Sequence, residues 1–351
     1  MRTNLCLIVA ALVSGCGTTG GSTQSSAPPP TAQYSYDIPP ECQGLGGIGL
    51  LLCYAQYNYV PPESFTSWSQ LNGPATLYAL GLGTHYAASS GTVTTVSEAP
   101  SGGVYVDAEY SSALQPRELS LLYFGPSELI DDDTYLQVRD GQGYAFSNLA
   151  SAGHPGIDVA LSTSGSSATN PFVEGATGGM LVAANPYALG WDYQSFGVWH
   201  VEAGITPDIH AVSFGAPSPV SGIPTLGNAN FTGKLGGLYV SPAGQGAVAL
   251  ADVSVNVDFG ARTLGFSSRG TTLTRNLAAT TPASDLNLSG TLTYASGSGS
   301  FNGALVSAGG TLSGTSSGRF YGPAAEELGG AFRLRSASGV ETFTGAYGAR
   351  R

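Results

Sequence analysis

Asp252-Val253-Ser254-Val255-Asn256-Val257-Asp258-Phe259 decides the fold class. Large apolar residues alternate with polar ones, and successive side chains of an extended chain point to opposite faces, so the stretch reads as a strand with one dry face and one wet face. Leu286, Leu288, Leu292 and Tyr294 alternate with Asn287, Ser289, Thr291 and Thr293 in the same way. From Asn228 onward eight or nine such segments follow one another, separated by Gly-Gly, Ser-Gly-Ser-Gly, Ala-Gly-Gly and Ser-Ala-Ser-Gly. Short, closely spaced strands predict an antiparallel meander, and closing it into a barrel removes its edges. At about eight strands such a barrel is filled by side chains. Its outward positions are too polar, and its strands too short, for a barrel facing lipid.

Upstream, Tyr34 to about Pro219 holds enough aromatic residues for a core of its own, among them Trp68, Tyr78, Trp191, Phe196 and Trp199. Val104–Tyr110, Leu119–Phe124, Tyr135–Val138 and Phe196–Val201 read as strands. Pro217-Ser218-Pro219-Val220-Ser221-Gly222-Ile223-Pro224 is rich in residues that interrupt strand ladders and marks the expected domain boundary.

The first residues carry Arg2 and then an unbroken apolar run, Leu5 to Val13. That run is far shorter than the roughly 20 residues a spanning helix needs, so it reads as the hydrophobic region of a signal peptide. Val13-Ser14-Gly15-Cys16 resembles the bacterial lipobox, which implies residues 1–15 as the signal peptide and lipidation (palmitate or a similar acyl chain) at Cys16. Gly17 follows the cysteine in place of the aspartate that commonly retains lipoproteins at the inner membrane. Residues 16–33 are Gly-, Ser- and Thr-rich and end in Pro28-Pro29-Pro30, the composition of a flexible tether stiffened at its far end.

Charged residues make up 10% of the chain and glycine 51 of its 351 positions. Loss of Arg2 with the signal leaves a formal side-chain charge of −12. Lys234 is the only lysine, so nucleic acid is excluded as a partner, and membrane attachment rests on the lipid anchor alone. With Cys6 in the signal and Cys16 acylated, Cys42 and Cys53 remain as a pair and read as a disulfide in an oxidising compartment. It would close a glycine-rich loop and contribute about 3 kcal/mol on the chain-entropy estimate. The alternative, half of a metal site, has no neighbouring His or Cys to complete it.

Near the end the chain reads Arg319-Phe320-Tyr321-Gly322-Pro323-Ala324-Ala325-Glu326-Glu327-Leu328-Gly329-Gly330-Ala331-Phe332. This closely resembles the barrel domain of transferrin-binding protein B-like surface lipoproteins, whose hallmark is Phe-Tyr-Gly-Pro, a short Ala/Glu turn and Gly-Gly-x-Phe. Ile223–Gly227 leading into Ala229–Gly233, the Val257–Gly260 strand end and Phe343–Gly348 agree with it, so the resemblance covers about Ser213 to Arg351. Phe320, Tyr321, Gly322, Pro323, Glu326, Gly329, Gly330 and Phe332 are its structural residues. Gly322-Pro323 is expected to end one strand and Ala324 to Glu327 to form a helical turn. The resemblance implies a mainly β fold, an irregular β-rich handle domain over residues 34–219 followed by an eight-stranded antiparallel barrel over residues 220–351. It also implies a surface-exposed outer-membrane lipoprotein, not an enzyme. Its partners would be a host or environmental protein or haem, with a TonB-dependent receptor and a surface lipoprotein assembly translocon beside it. One handle and one barrel, where transferrin-binding protein B has two such lobes, leave the ligand open.

Chemistry-bearing residues outside the motif are few, and no cofactor is expected. Gly314-Thr315-Ser316-Ser317-Gly318 matches the Gly-x-Ser-x-Gly of serine hydrolases, but lies in a β region with no histidine after it. His85, His154, His200 and His210 all precede it. His200 beside Trp199, with His210, is a candidate haem or metal pair, and Asp131-Asp132-Asp133 a candidate calcium loop; satisfied histidines and a solvated acidic tip explain both as well. Two readings stand: a ligand-capturing surface lipoprotein, and a structural or adhesive envelope lipoprotein that uses the barrel as a scaffold.

Overall fold

Strands dominate the computed structural model, and they form two antiparallel sheets. It describes residues 67–70, 75–89, 92–99, 103–110, 116–123, 134–139, 144–148, 154–162, 179–201, 208–274, 279–337 and 339–351. Cys16, Cys42, Cys53 and Asp131–Asp133 lie outside them.

The first sheet comprises β1 (Ala75–Ser89), β2 (Thr92–Ala99), β3 (Gly103–Tyr110), β4 (Pro116–Tyr123), β5 (Thr134–Arg139), β6 (Tyr144–Asn148), β7 (Ile157–Ser162), β8 (Gly179–Ala184), β9 (Gln194–Val201) and β10 (Asp208–Gly215). A single helical turn, α1 (Pro186–Leu189), precedes β9; Asn185 caps it by accepting the Ala188 N–H, and Gly190 ends it in the left-handed region. Spatial order is β5-β4-β3-β1-β10-β9-β8-β7-β6, with β2 paired to β1. The 15-residue β1 serves three partners along its length, β3 from Ala75 to Leu80, β10 from Gly81 to His85 and β2 from Gly83 to Ser89.

The second sheet is a closed barrel. Its strands are β11 (Asn228–Val240), β12 (Gly246–Asp258), β13 (Thr263–Thr274), β14 (Thr280–Pro282), β15 (Leu288–Tyr294), β16 (Ser300–Ser307), β17 (Leu312–Tyr321), β18 (Glu327–Ser336) and β19 (Thr342–Arg350). The path runs β12-β11-β19-β18-β17-β16-β15-β13, and β12 also pairs with β13, which closes eight strands into a ring; the three-residue β14 hangs off β13. Phe231, Val255, Phe266, Phe301, Phe320 and Phe332 fill the interior, so the ring is a packed core.

Two expectations change. Leu286 lies in a 3-10 turn, Ser284–Leu286, and β15 begins at Leu288, because Asn287 turns aside to accept the N–H and hydroxyl of Thr271. Gly236-Gly237 and Gly329-Gly330 lie within β11 and β18 and separate no strands. The Ser-Gly-Ser-Gly and Ala-Gly-Gly spacers do form turns, and at the last spacer Gly339 donates its N–H to Ser336 O at 3.1 Å.

Half of the barrel wall is covered on its outside. Along β12 the first residues, Gly246 to Ala251, are all buried, whereas Asp252 to Asp258 alternate. Leu235 to Val240 of β11 and Thr342 to Ala349 of β19 are likewise buried without a break. The cover is the first sheet: Val182, Phe196, Val198 and Ile209 form one apolar cluster with Leu238, Val240, Leu250, Ala331 and Ala346. Hydroxyl pairs Thr84–Thr344 (2.9 Å) and Tyr86–Thr342 (3.1 Å) and a bond from Arg333 Nη1 to Gly83 O (2.7 Å) complete the seam.

Close approach requires small residues on the barrel side. A Cβ at Gly236 would lie 2.7 Å from Val182 Cγ1 and 3.2 Å from the Phe196 ring, closer than van der Waals contact allows. Gly236→Val is therefore expected to destabilise the protein by about 2 kcal/mol through overpacking. Gly265→Val, on an outward position of β13 where a Cβ meets nothing closer than 3.9 Å, should change it by less than about 0.5 kcal/mol. Urea unfolding of the two variants checks this; equal losses would mean that Gly236 is not a contact point.

Candidate functional site

The Phe320–Phe332 segment sits where the two sheets meet. Phe320 closes one end of the barrel: its ring lies 5.4 Å from Tyr294 and from Phe301, 6.0 Å from Phe259 and 6.5 Å from Phe231. Arg351 stacks over Phe231 and Phe259 from outside, at 5.5 and 5.4 Å. Phe332, inside the barrel, meets Phe343 edge to face at 5.0 Å. Those two phenylalanines belong to the barrel core, as their place in alternating strands dictates.

The residues between them face the first sheet. Tyr321 shares a 3.0 Å hydrogen bond with Ser213 of β10. Gly322 adopts φ 84°, donates its N–H to Ala216 O at 2.9 Å, and accepts the Ser218 hydroxyl at 2.6 Å. Ser218 belongs to the Pro217–Pro224 segment, which contains a 3-10 turn (Val220–Gly222) and carries the chain from β10 to β11. A turn spans Gly322 to Ala325, two residues earlier than the Ala324–Glu327 expected, because Glu327 already pairs with Tyr321 as the first residue of β18. Pro323 sits in that turn, and Glu326 folds back to accept the Ala324 N–H at 2.8 Å.

Glu327 reaches across the seam. It is 1% exposed and accepts two backbone N–H bonds, from Asp192 at 2.7 Å and Tyr193 at 3.0 Å. Burial pushes its carboxyl up to about 7, against the lowering pull of those N–H donors and of Arg350. Gly329 and Gly348 leave room for the Gln194 side chain, which lies between them fully buried. Gly330, on the opposite face, leaves room for the Tyr347 phenol. No signal in the segment itself points to Asp192, Tyr193, Gln194 or Ser213, because those partners come from more than a hundred residues away.

The remaining candidate residues separate. Ser316 is buried inside β17, bonded to Ala331 O (3.1 Å) and Tyr347 Oη (3.0 Å), and burial raises the phenol's pKa. The serine thus faces a reluctant acid and no imidazole. His210 is buried with its ring 5.4 Å from the Trp199 indole, as a core side chain stacked across β9 and β10. His154 is buried near the Lys234–Asp252 ion pair (2.6 Å); burial, then the Lys234 charge, lower its pKa. His85 and His200 have their backbones on β1 and β9. Among the described residues no group of three His, Cys, Asp or Glu side chains could hold a metal ion, and no helix is long and apolar enough to cross a membrane.

Residues 223–351 match the family described as the C-lobe and N-lobe beta barrels of Tf-binding protein B. No curated protein matches the chain. Solved structures similar to it include a mutant transferrin-binding protein B from Haemophilus parasuis Hp5, at 14% identity and TM-score 0.37, covering 79% of this chain and 76% of that one. The isotype 1 protein from serogroup B Neisseria meningitidis gives 12% and 0.34, covering 80% and 77%. A DUF3598 protein from Nostoc punctiforme gives 11% and 0.23, covering 78% and 95%. The match and the closed eight-stranded ring that residues 228–350 form give the chain a C-terminal β-barrel similar to the barrels of transferrin-binding protein B.

Proposed function

We propose that this chain is a non-catalytic, surface-displayed outer-membrane lipoprotein that captures a host or environmental protein, or an iron- or haem-type ligand. Residues 1–15 are its signal peptide, lipid on Cys16 its anchor, residues 16–33 its tether, and Cys42–Cys53 a disulfide. Residues 34–219 act as the handle and residues 220–351 as the barrel. The observation that carries the reading is the match of residues 223–351 to the barrels of a protein named for binding transferrin.

Charge distribution supports a docking role for the handle. Residues 34–222 carry 17 acidic side chains against Arg117 and Arg139, whereas residues 223–351 carry 9 basic against 6 acidic. A partner that docks on the handle would meet it with a basic surface, and such association slows as salt screens it.

A structural or adhesive role is the second reading. It is favoured by the barrel's outer wall, where Thr263, Thr291, Thr293, Asn302, Thr315 and Ser317 present small polar groups. Among the described residues the exposed large apolar side chains are Val220, Leu226 and Val306.

Two experiments test the proposal. Labelling cells with an alkyne-bearing palmitate analogue should mark the wild type and leave Cys16→Ser unmarked; equal labelling of both would remove the anchor. The soluble form, Tyr34 to Arg351, is expected to retain a partner when offered transferrin, haem proteins and haem. Binding of a protein partner should weaken about tenfold between 50 and 500 mM salt. Retention of none of the three would leave the scaffold reading.

A further inference from the structure

His154 joins the first sheet to an irregular point of the barrel wall. There β12 and β13 change register, with Leu250 opposite Thr272 but Asp252 opposite Arg269, so that Gly270 and Thr271 together face Ala251. Gly270 turns at φ 64°, with nothing within 4 Å of the place a Cβ would take. Its backbone takes a hydrogen bond from the ring of His154, which is 4% exposed. The same short segment is tied to the first sheet on its other side. Gly156 O accepts the Asn185 N–H at 2.8 Å, Gly156 packs against Leu189 of α1, and Ile157 and Val159 of β7 enter the apolar seam.

Among the described residues, the charged groups that face the ring come from β11 and β12. Lys234 Nζ and Asp252 Oδ1 form an ion pair at 2.6 Å, and both charges act on His154. Lys234 opposes protonation of the ring and Asp252 favours it, with Lys234 the stronger of the two. Arg269, opposite Asp252 on β13, is exposed. Pro155, Gly156 and Ile157, next in the chain, carry no ionisable side chain. The second ring nitrogen sets the sense of the response: Nδ1 is buried and has no hydrogen-bond partner among the described residues. In the neutral ring that nitrogen is an idle acceptor. An imidazolium would put an N–H there with nothing to accept it, in the interior and near an ammonium group. The geometry therefore disfavours the charged ring, and burial lowers its pKa in the same sense.

We propose that His154 is an acid-released clasp: neutral, it holds the His154–Gly156 segment on the Gly270 bulge, and protonated, it lets that segment leave the barrel wall. Released, the ring titrates in water at its ordinary value of 6.5; clasped, it binds the proton less tightly. Closure is at full strength above about pH 6.5 and weakens as pH falls below it. The clasp needs no ligand, so its test is independent of the function proposed above.

Amide hydrogen exchange of the full chain, corrected for the intrinsic pH dependence of exchange, follows the clasp at Asn185, whose N–H is bonded to Gly156 O. Its protection should fall about threefold or more from pH 7.5 to 5.0, while Leu235 inside β11 stays constant. His154→Gln, which keeps a side-chain N–H for Gly270 and does not titrate, should abolish the fall. A flat wild-type profile, or the same fall in His154→Gln, would overturn the proposal. Imidazole proton NMR of the wild type gives a second reading that does not depend on the variant folding. A His154 midpoint below 6.5 supports the clasp, and one at or above 6.5 overturns it.

Discussion

Everything in this molecule depends on how closely one sheet can lie on the outside of a closed barrel. A barrel wall has no free edge to share, so the first sheet can join it only face to face, through side chains. The wall supplies Gly236, Gly329 and Gly348 where the first sheet brings Val182, Phe196, Ser213 and Gln194. Each apolar side chain buried there contributes about 1.5–3 kcal/mol, which makes the seam a second core beside the barrel interior. Strands β11, β12, β18 and β19 consequently belong to two cores at once.

That double membership explains what could be read from sequence and what could not. Asp252 to Phe259 announced a strand because one of its faces is wet, and the alternation survives in β13, β15, β16 and β17 for the same reason. Leu235 to Val240 and Gly246 to Ala251 carry no alternation, since neither face meets water, so the Gly236-Gly237 pair reads as a spacer. In the first sheet, β3, β4, β5 and β9 were legible from local composition. The pairing of β1 with β10 was not: it joins Gly81 to Val212, and no local pattern records a contact of that span.

The Phe320–Phe332 segment shows the same division. Its phenylalanines could be assigned to a β unit because they follow strand periodicity. Its glycines and Glu327 follow the needs of a partner surface instead. Gly322 takes a left-handed φ so that the chain can bond Ala216 and Ser218, and Ala325 sits at φ 57° in the same tight turn, a conformation an L-residue adopts only when its surroundings over-determine it. The half of the segment that resists a purely internal explanation is thus the half that touches the other sheet.

Placing a carboxylate in such a seam carries a desolvation cost, which the Asp192 and Tyr193 N–H groups and Arg350 partly offset. A glutamine would set an NH2 donor against one of the two N–H groups, so only a carboxylate offers an acceptor oxygen to each, at the cost of burying charge. The apolar cluster around Phe196 and Leu238 already holds the sheets together, so the carboxylate serves to fix the Asp192–Tyr193 turn against the barrel. The barrel with its aromatic end-plug is a separate core beneath the turn that the carboxylate holds.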